Sequence, residues 1–357
     1  MKYRIICALL AILVFGCIDE VHIPNDQIEP KLVVDAWVSD DCNMSYVKIY
    51  HSAVFQSGSR HLRFGHPKVY EVYVENQNHE KTSFVYMGQS SYDRELKFQP
   101  RPDWEFQESD RYRLNVIMEN GDHIQSEWQA VMPKVNIGRF EEDIVERTIF
   151  ITPLNGNPFP QKHHYLRLRV DIEVDNPHNG HNYFVKTRGI EEQATIGEGD
   201  FCTCTCFQET DNIMGYLNIQ HAPNLGSSVA QINFAEMTLF RLTRFYLDLN
   251  VYAVTEPAAA YLKRISDQQT STGSIFDPMP FKITGNLKNL TNPEEEILGN
   301  FFTANSSRKE EMIRRVEYHA KYRHLNMRRE SPPTVESTCL EYYTDSYTEI
   351  PIPFRMR

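Results

Sequence analysis

Ten residues in the middle of the chain alternate between apolar and charged side chains. From Tyr165 to Val174 the sequence is YLRLRVDIEV, with an apolar side chain at every second position after the first. Successive side chains of a β-strand point to opposite faces of its sheet, so this segment buries one face and keeps the other in water. Parallel sheets are covered on both faces, whereas antiparallel sheets tolerate a wet face. The alternation therefore predicts an antiparallel β-sheet.

Shorter strand patterns occupy the first third of the chain. The segment 68–75 alternates strictly before a polar turn at 76–78. A strand at 111–117 leads into Asn120-Gly121-Asp122, a sequence that is typical of a tight hairpin turn. About six or seven short strands of this kind predict an antiparallel sandwich of immunoglobulin-like size over residues 31–133.

Residues 134–357 form the second predicted domain, which is larger and also rich in antiparallel strands. One short helix is expected within it. Thr255 is a favourable N-cap, Glu256-Pro257 suits a first helical turn, and the residues up to Ile265 are mostly good helix formers. The predicted fold class is therefore mainly β, with an immunoglobulin-like antiparallel sandwich followed by a larger antiparallel β domain that carries one short helix.

The N-terminus has the pattern of a lipoprotein signal peptide. Lys2 and Arg4 precede an apolar run, and Gly16 stands directly before Cys17. This order predicts a signal peptide over residues 1–16 and a lipid on Cys17. An ordinary signal peptide followed by a chance cysteine is the alternative, and Phe15 is bulkier than the usual residue at its position. The apolar run is too short for a membrane-spanning helix, which needs about 20 residues.

The residues after Cys17 and the overall charge bear on location and partners. Residues 17–30 contain two prolines and no periodicity, and they are expected to be a tether. Asp19-Glu20 resemble the acidic export signals of surface lipoproteins in Bacteroidota. The formal net charge is −11, which argues against non-specific binding to nucleic acid or to anionic lipid. Membrane attachment is therefore assigned to the lipid on Cys17 alone.

Five cysteines remain once Cys7 and Cys17 are set aside, and three of them form the cluster Cys-Thr-Cys-Thr-Cys. In a strand, the three sulfurs of this cluster would share one face at spacings of about 7 Å. Disulfides to Cys339, with Cys42 as a further partner, are the preferred interpretation, and the odd number leaves at least one cysteine outside an internal pair. A soft-metal site with His178 or His181 is the alternative. The candidates for disulfides are Cys202, Cys204, Cys206, Cys339 and Cys42.

No other polar group in the sequence has the spacing of a known catalytic or metal motif. His163 and His164 are adjacent, so in a strand they would point to opposite faces. The acidic runs 141–143, 191–192 and 294–296 lack the spacing of a calcium loop. Two segments, 60–68 and 342–347, combine aromatic with polar side chains, as partner-binding loops often do. We expect no catalytic, cofactor-binding or metal-binding residues and predict that the chain is not an enzyme.

Two segments resemble a known family. The first is PKLVVDAWV at 30–38, and the second combines PAAAYLKRISDQQ at 257–269 with SIFDPMPFKITGNLKNLTNPEEEILGNFF at 274–302. Together they resemble the Bacteroidota outer-membrane lipoproteins catalogued as domain of unknown function 4249. The resemblance implies a β-rich lipoprotein that is commonly encoded beside TonB-dependent transporters, with no assigned biochemical role. It supplies no catalytic residues.

The functional expectation follows from location more than from chemistry. We expect a surface-exposed outer-membrane lipoprotein that acts as a binding or accessory component of a TonB-dependent uptake system. Its expected partners are the transporter and, through Cys17, the outer membrane at its extracellular face. An extracellular-face hydrolase and a purely structural envelope or adhesion component are the alternatives.

Overall fold

The fold is described by a computed structural model of the chain. The described residues are 30–42, 44–52, 66–89, 95–108, 110–153, 156–173, 182–198, 201–211, 213–214, 217–221, 229–270 and 283–355. The predicted signal peptide, Cys17 and the tether up to residue 29 lie outside the described residues, as do His178 and His181.

Strands dominate the described ranges. They are β1 (Leu32–Ser39), β2 (Tyr46–His51), β3 (Val69–Asn76), β4 (Lys81–Gln89), β5 (Leu96–Pro100), β6 (Arg111–Met118), β7 (His123–Ser126), β8 (Gln129–Ala130), β9 (Asn136–Ile151), β10 (Phe159–Glu173), β11 (Asn182–Ala194), β12 (Ile196–Gly197), β13 (Thr205–Asp211), β14 (Asn218–His221), β15 (Val229–Thr238), β16 (Arg244–Val254), β17 (Leu287–Asn289), β18 (Leu298–Arg314) and β19 (Thr334–Val335). The α-helices are α1 (Glu256–Thr270), α2 (Arg315–Lys321) and α3 (Ile352–Arg355), and single 3-10 turns occupy Arg323–Leu325 and Cys339–Glu341. The predicted mainly β fold class is confirmed.

The first sandwich is built from two layers that share strand β4. One layer has the order β18-β1-β2-β5-β4, and β4 also pairs with β3 at the edge of the β3-β6-β7-β17 layer. Alternate residues of each strand meet between the layers, and Val34, Ile49, Val72 and Leu114 are at most 1% exposed there. The hydrophobic effect of this shared interior is the main force that holds the two layers together.

Strand β18 belongs to both parts of the chain. Its residues 298–304 pair in parallel with β1, and its residues 305–314 pair antiparallel with β16. The parallel pair departs from the all-antiparallel prediction, and it is possible because the long intervening chain provides the crossover that parallel strands require. Strand β17 also belongs to the first sandwich, where it pairs antiparallel with β7. Segments beyond residue 134 thus complete the first sandwich, across the predicted boundary between 133 and 134.

The linker between the two parts is fastened along β18 by side chains. Between residues 303 and 309 of β18, every second residue donates a side-chain hydrogen bond to a backbone carbonyl of residues 130–138. The donors are Thr303 Oγ1 to the carbonyl of Ala130 (3.0 Å), Asn305 Nδ2 to that of Met132 (2.9 Å), Ser307 Oγ to that of Val135 (2.6 Å) and Lys309 Nζ to that of Gly138 (2.5 Å). This row of hydrogen bonds ties the two parts of the chain into one body.

The second part is a sandwich of the sheet β15-β10-β9 against the strands β11, β16 and β18. Leu166, Leu168 and Val170 are almost fully buried between the layers. Arg167, between two of them, points outward and donates to Glu236 Oε2 at 3.2 Å. The alternation predicted for residues 165–173 is therefore confirmed, and Val174 lies outside the described residues.

Helix α1 starts where the sequence predicts and packs at the junction of the two parts. Ala258 and Leu262 are buried against Trp37 and Phe302 of the first layer. The hydroxyl of Thr255 has no hydrogen-bond partner within the described residues, so the expected side-chain cap is not formed. None of the helices in the described ranges is long and apolar enough to cross a bilayer.

Candidate functional site

A cleft of about 480 Å³ lies where the first sandwich, helix α1 and strand β18 meet. Its lining includes two arginines, two aromatic residues and two amides, namely Arg111, Arg264, Trp128, Tyr261, Asn286 and Asn300. The volume is within the range of small-molecule sites, which are common where two domains meet. Because these residues come from regions that are far apart in sequence, only the folded chain brings them together.

Two separate segments of the lining supply its aromatic and cationic groups. Trp128 lies between β7 and β8, and the guanidinium carbon of Arg113 is 4.6 Å from its ring centroid. This cation–π contact helps to fix the orientation of the indole. Tyr261 and Arg264 are three residues apart on α1 and therefore share one face of the helix. The arrangement offers flat apolar surface together with positive charge, which suits a small polar ligand.

The cleft floor is formed by a close approach of two backbone segments. A Cβ atom at Gly285 would overlap the carbonyl oxygen of Gly299, so only glycine fits at position 285. The next residue, Asn286, binds the backbone of Phe301 through its side-chain amide. These contacts give a physical reason for the Gly-Asn-Leu and Leu-Gly-x-Phe elements of the resemblance, because the two elements pack against each other.

A carboxyl group with an altered pKa lies next to the cleft. Asp35 is opposite Asn300 on one side and opposite Lys48 on the other. The hydroxyl of Tyr46 donates to Asp35 Oδ2 at 3.3 Å. Burial raises the pKa of Asp35 above the ordinary value for an aspartate. Burial and the nearby Asp35 also raise the pKa of the Tyr261 hydroxyl, so Tyr261 is a neutral hydrogen-bonding group at the cleft.

The cysteine cluster forms two disulfides of different kinds. Cys206 is bonded to Cys339, and Cys202 is bonded to Cys204. The expected link between the cluster and Cys339 is therefore present through Cys206. Cys42 is partly exposed and forms no disulfide, so it is not the further partner that the sequence suggested.

The cluster does not lie on one continuous strand. The Cα atoms of Cys202 and Cys204 are 5.2 Å apart, which is shorter than the spacing of about 7 Å in an extended chain. Strand β13 begins only at Thr205. The one-face arrangement that a strand would give does not apply here, because the bond between Cys202 and Cys204 requires a contracted backbone.

Comparison with known families identifies the chain. A family profile described as "Domain of unknown function (DUF4249)" matches residues 18–310, which is most of the sequence. The chain belongs to the DUF4249 family. No curated protein matches this DUF4249 chain. The cleft residues all lie inside the matched range, whereas Cys339 lies beyond it.

The acidic runs of this DUF4249 chain are engaged in ion pairs and hydrogen bonds. Glu191 Oε1 is 3.0 Å from Arg315 Nη1, and Glu192 Oε1 is 2.6 Å from Arg244 Nη2. Glu142 pairs with Lys321, and it also accepts a hydrogen bond from the Tyr322 hydroxyl at 3.1 Å. The ion pairs of Glu141 and Glu296 are with Arg169 and Lys31, and Glu295 accepts from Asn289. These carboxylates therefore have structural partners.

The histidines of the DUF4249 chain do not assemble with other ligands in the described ranges. His163 bonds to Gln161 at 3.0 Å, and His164 Nε2 is 3.5 Å from Glu146. No group of three or more His, Cys, Asp or Glu residues within the described part of the chain is arranged to hold a metal ion. The suggested ligands His178 and His181 lie outside that part.

The two aromatic segments have different surroundings. Of segment 60–68, only residues 66–68 are described. In the C-terminal segment Tyr342 is exposed and its ring contacts that of Tyr343 edge-on, whereas Tyr347 packs on Phe207. Sequence reasoning did not find the cleft, although it singled out both the α1 segment and the Gly285-Asn286 element that line it. Nothing in the sequence indicates that these two segments lie next to Trp128 in the folded chain.

Proposed function

We propose that this DUF4249 chain is a surface-exposed outer-membrane lipoprotein of Bacteroidota type that serves as a binding component of a TonB-dependent uptake system. The signal-peptide pattern that ends at Cys17, the acidic residues behind it and membership of the family support this location and partner. The junction cleft supports the binding role, and it is the observation on which the proposal depends.

The lining of the cleft indicates the kind of ligand. Arg111 and Arg264 outweigh Glu127, the carboxylate in the same lining, and leave net positive charge at the cleft of a chain whose net charge is −11. A local positive site on an acidic molecule favours a ligand with an anionic group, because the surrounding charge repels such a ligand elsewhere. Trp128 and Tyr261 add apolar surface for a ring or a short chain. The expected ligand is a small molecule with one anionic and one apolar part.

The predicted tether is long enough for the chain to contact a transporter in the same membrane. The tether runs from Cys17 to Pro30 and can extend to roughly 45 Å at about 3.3 Å per residue. Strand β1 then runs away from the end of the tether, in the same direction as β18. A tether of this length would allow the chain to contact a transporter in the same membrane.

Recovery of the lipoprotein from native outer membranes tests the proposal. The intact chain, captured in a gentle detergent, is expected to bring a TonB-dependent transporter with it. The Cys17→Ala chain, which has no lipid, is the control and should bring less. Capture of the intact chain without any transporter would contradict the accessory role.

Ligand binding is tested separately with the purified chain. Arg264→Ala is expected to weaken the binding of anionic small molecules by about tenfold, equivalent to one charge-assisted hydrogen bond. Arg329→Ala is the matched control, since Arg329 is exposed and does not line the cleft. Equal loss in both variants, or chemical turnover of the bound molecule, would count against a binding role for the cleft.

A further inference from the structure

The two disulfides of the chain occupy different environments. Cys206 lies in β13 and Cys339 begins a 3-10 turn near the C-terminus, and both residues are fully buried. They are 133 positions apart in sequence, so their bond closes a long loop and removes much conformational freedom from the unfolded chain. An external reagent has no access to these sulfurs in the folded protein. This bond has the properties of a structural disulfide.

The Cys202–Cys204 bond has the opposite properties. Only Thr203 separates the two cysteines, so the closed loop is minimal and its contribution to stability through chain entropy is small. Both residues are partly exposed, and the neighbouring Phe201 is 92% exposed. The fold therefore gains little from this bond, while solvent can reach it.

The backbone around this bond is held by other interactions. Thr203 N–H donates to the carbonyl of Ser337 at 2.9 Å, and Cys339 N–H donates to the carbonyl of Thr203 at 2.9 Å. Thr195 N–H donates to the carbonyl of Cys204, also at 2.9 Å. With these three bonds in place, the two sulfurs would stay next to each other after reduction. The disulfide can then open and close again without rearrangement of the sheet.

The residue that faces the bond is a glycine. A Cβ atom at Gly197 would collide with the Cβ and Sγ atoms of Cys202 and would lie 3.3 Å from Cys204 Sγ. Any larger side chain at this position would press on the disulfide. The backbone of Gly197 therefore packs directly against the disulfide, and only glycine allows this close approach.

Two acidic residues lie on the segments that neighbour the bond. Glu198 follows Gly197 directly and is exposed. The Glu341 carboxylate accepts hydrogen bonds from the N–H groups of Glu336, Ser337 and Thr338, which lowers the pKa of Glu341 to about 2. Thr338 in turn bridges to Thr203, between the two cysteines. Anionic reagents are therefore repelled from this disulfide more than neutral or cationic ones.

From the exposure, the independent backbone support and the local charge, we propose that Cys202–Cys204 is a thiol–disulfide exchange site for neutral or cationic thiols. An incoming thiolate attacks one Sγ atom, the Cys202–Cys204 bond breaks, and a mixed disulfide forms as the other sulfur leaves as a thiolate and takes a proton. A second molecule of the reagent, as its thiolate, then attacks the reagent sulfur of the mixed disulfide. This step releases the disulfide of the reagent and leaves both cysteines as thiols. The external thiol supplies the two electrons.

Competitive reduction of the purified mature chain tests the site. Cys42→Ser is used as the background, because Cys42 is the unpaired cysteine among the described residues. Cysteamine, which is cationic, and 2-mercaptoethanesulfonate, which is anionic, are compared at equal thiolate concentration, with trapping by N-ethylmaleimide and peptide mass spectrometry. We expect Cys202–Cys204 to open about tenfold faster than Cys206–Cys339, which is the internal control. Cysteamine should react about threefold faster than the sulfonate at this bond.

A charge variant and a structural readout complete the test. Glu198→Gln should reduce the preference for cysteamine, and circular dichroism should stay unchanged while Cys202–Cys204 opens. The double variant Cys202→Ser/Cys204→Ser should keep the Tm of the parent chain within a few degrees. Equal reduction rates for the two disulfides, loss of the β-sheet signal on opening, or faster reaction with the sulfonate would each overturn the proposal.

Discussion

The side-chain amide of Asn286 binds the backbone of Phe301 as a neighbouring β-strand would. Its Nδ2 donates to the carbonyl of Phe301 at 2.7 Å, and the N–H of Phe301 donates to its Oδ1 at 2.9 Å. Phe301 already pairs with Ala36 of β1 on the other side, and the pairing of β18 with β16 begins only at Asn305. Asn286 therefore supplies hydrogen-bond partners for the N–H and C=O groups of Phe301, at a position of β18 where no neighbouring strand supplies them.

Replacing Asn286 should destabilise the chain by leaving both backbone groups of Phe301 without partners. We expect Asn286→Ala to lower the free energy of unfolding by about 2 kcal/mol, since two partly buried hydrogen bonds are lost. Urea denaturation measures it. Asn120→Ala is the control, because the exposed amide of Asn120 donates to Asp122 within one turn, and a change below about 0.5 kcal/mol is expected there. Similar losses in both variants would contradict the role of Asn286.

Gly299 should tolerate alanine much less well than Gly121. Both have positive φ angles, +100° and +90°, which cost any residue with a side chain about 1 kcal/mol. At Gly121 a Cβ atom would meet nothing within 4 Å, whereas at Gly299 it would collide with the backbone of Val34. Gly299→Ala should therefore cost about 2 kcal/mol or more beyond Gly121→Ala, measured as the difference in unfolding free energy. Equal costs would mean that β1 and β18 are not packed this closely.

Glu191 is expected to matter more for stability than an exposed carboxylate does. Arg315 is 1% exposed, and its guanidinium lies 3.0 Å from Glu191 and 3.2 Å from the hydroxyl of Thr243. Glu191→Gln removes the countercharge of a buried cation, which costs about 3 kcal/mol in comparable cases. Glu127→Gln, which removes the exposed partner of Lys288, should change the unfolding free energy by less than about 1 kcal/mol. Thermal unfolding of both variants decides between these values.

Asp35 should make stability fall as the pH rises. An aspartate in the unfolded chain ionises near pH 4, whereas burial raises the pKa of Asp35 in the folded chain. The folded state binds the proton more tightly, so its relative stability falls between about pH 4 and the folded pKa. Asp35→Asn cannot ionise and is therefore expected to gain stability relative to the natural chain between about pH 4 and about pH 7. Urea titrations at the two ends of this range measure the difference.

Glu75 should make stability fall as the pH decreases, which is the opposite of the effect of Asp35. The hydrogen bond from Arg113 Nε, at 2.8 Å, lowers the pKa of Glu75 in the folded chain. The stabilisation that ionised Glu75 provides is therefore complete above the pKa of a glutamate in the unfolded chain. It is lost as the pH falls through the lower pKa of Glu75 in the folded chain. Glu75→Gln should be less stable than the natural chain at about pH 7, by a margin that shrinks on acidification. The same direction of change in the Asp35 and Glu75 variants would contradict both assignments.

Local patterns in the sequence predicted the elements of the fold better than their pairing. Alternation at 165–173 and the helix after Thr255 were correct, because both depend on residues close together in the chain. The parallel pairing of β1 with β18 could not be predicted, since nothing in either segment specifies a partner at the other end of the sequence. The cleft was missed for the same reason.

The cysteine cluster shows a different limit. A disulfide from the cluster to Cys339 was expected, and Cys206 forms it. The assumption of an extended strand concealed the bond between Cys202 and Cys204, because two cysteines at alternate positions of a strand are too far apart to bond. The disulfide holds the backbone of residues 202–204 in a contracted form, so the spacing of a strand does not apply there.

The sharing of β18 constrains the order in which the protein can form. Strand β1 is among the first segments to emerge during synthesis, but one of its neighbours in the sheet is residues 298–304. The first sandwich therefore cannot close until most of the chain is present, and a truncated product would expose one edge of β1. Contacts of such long range slow folding. The export that we propose for this chain would benefit from the delay, because an unfinished sheet stays open long enough to be threaded across a membrane.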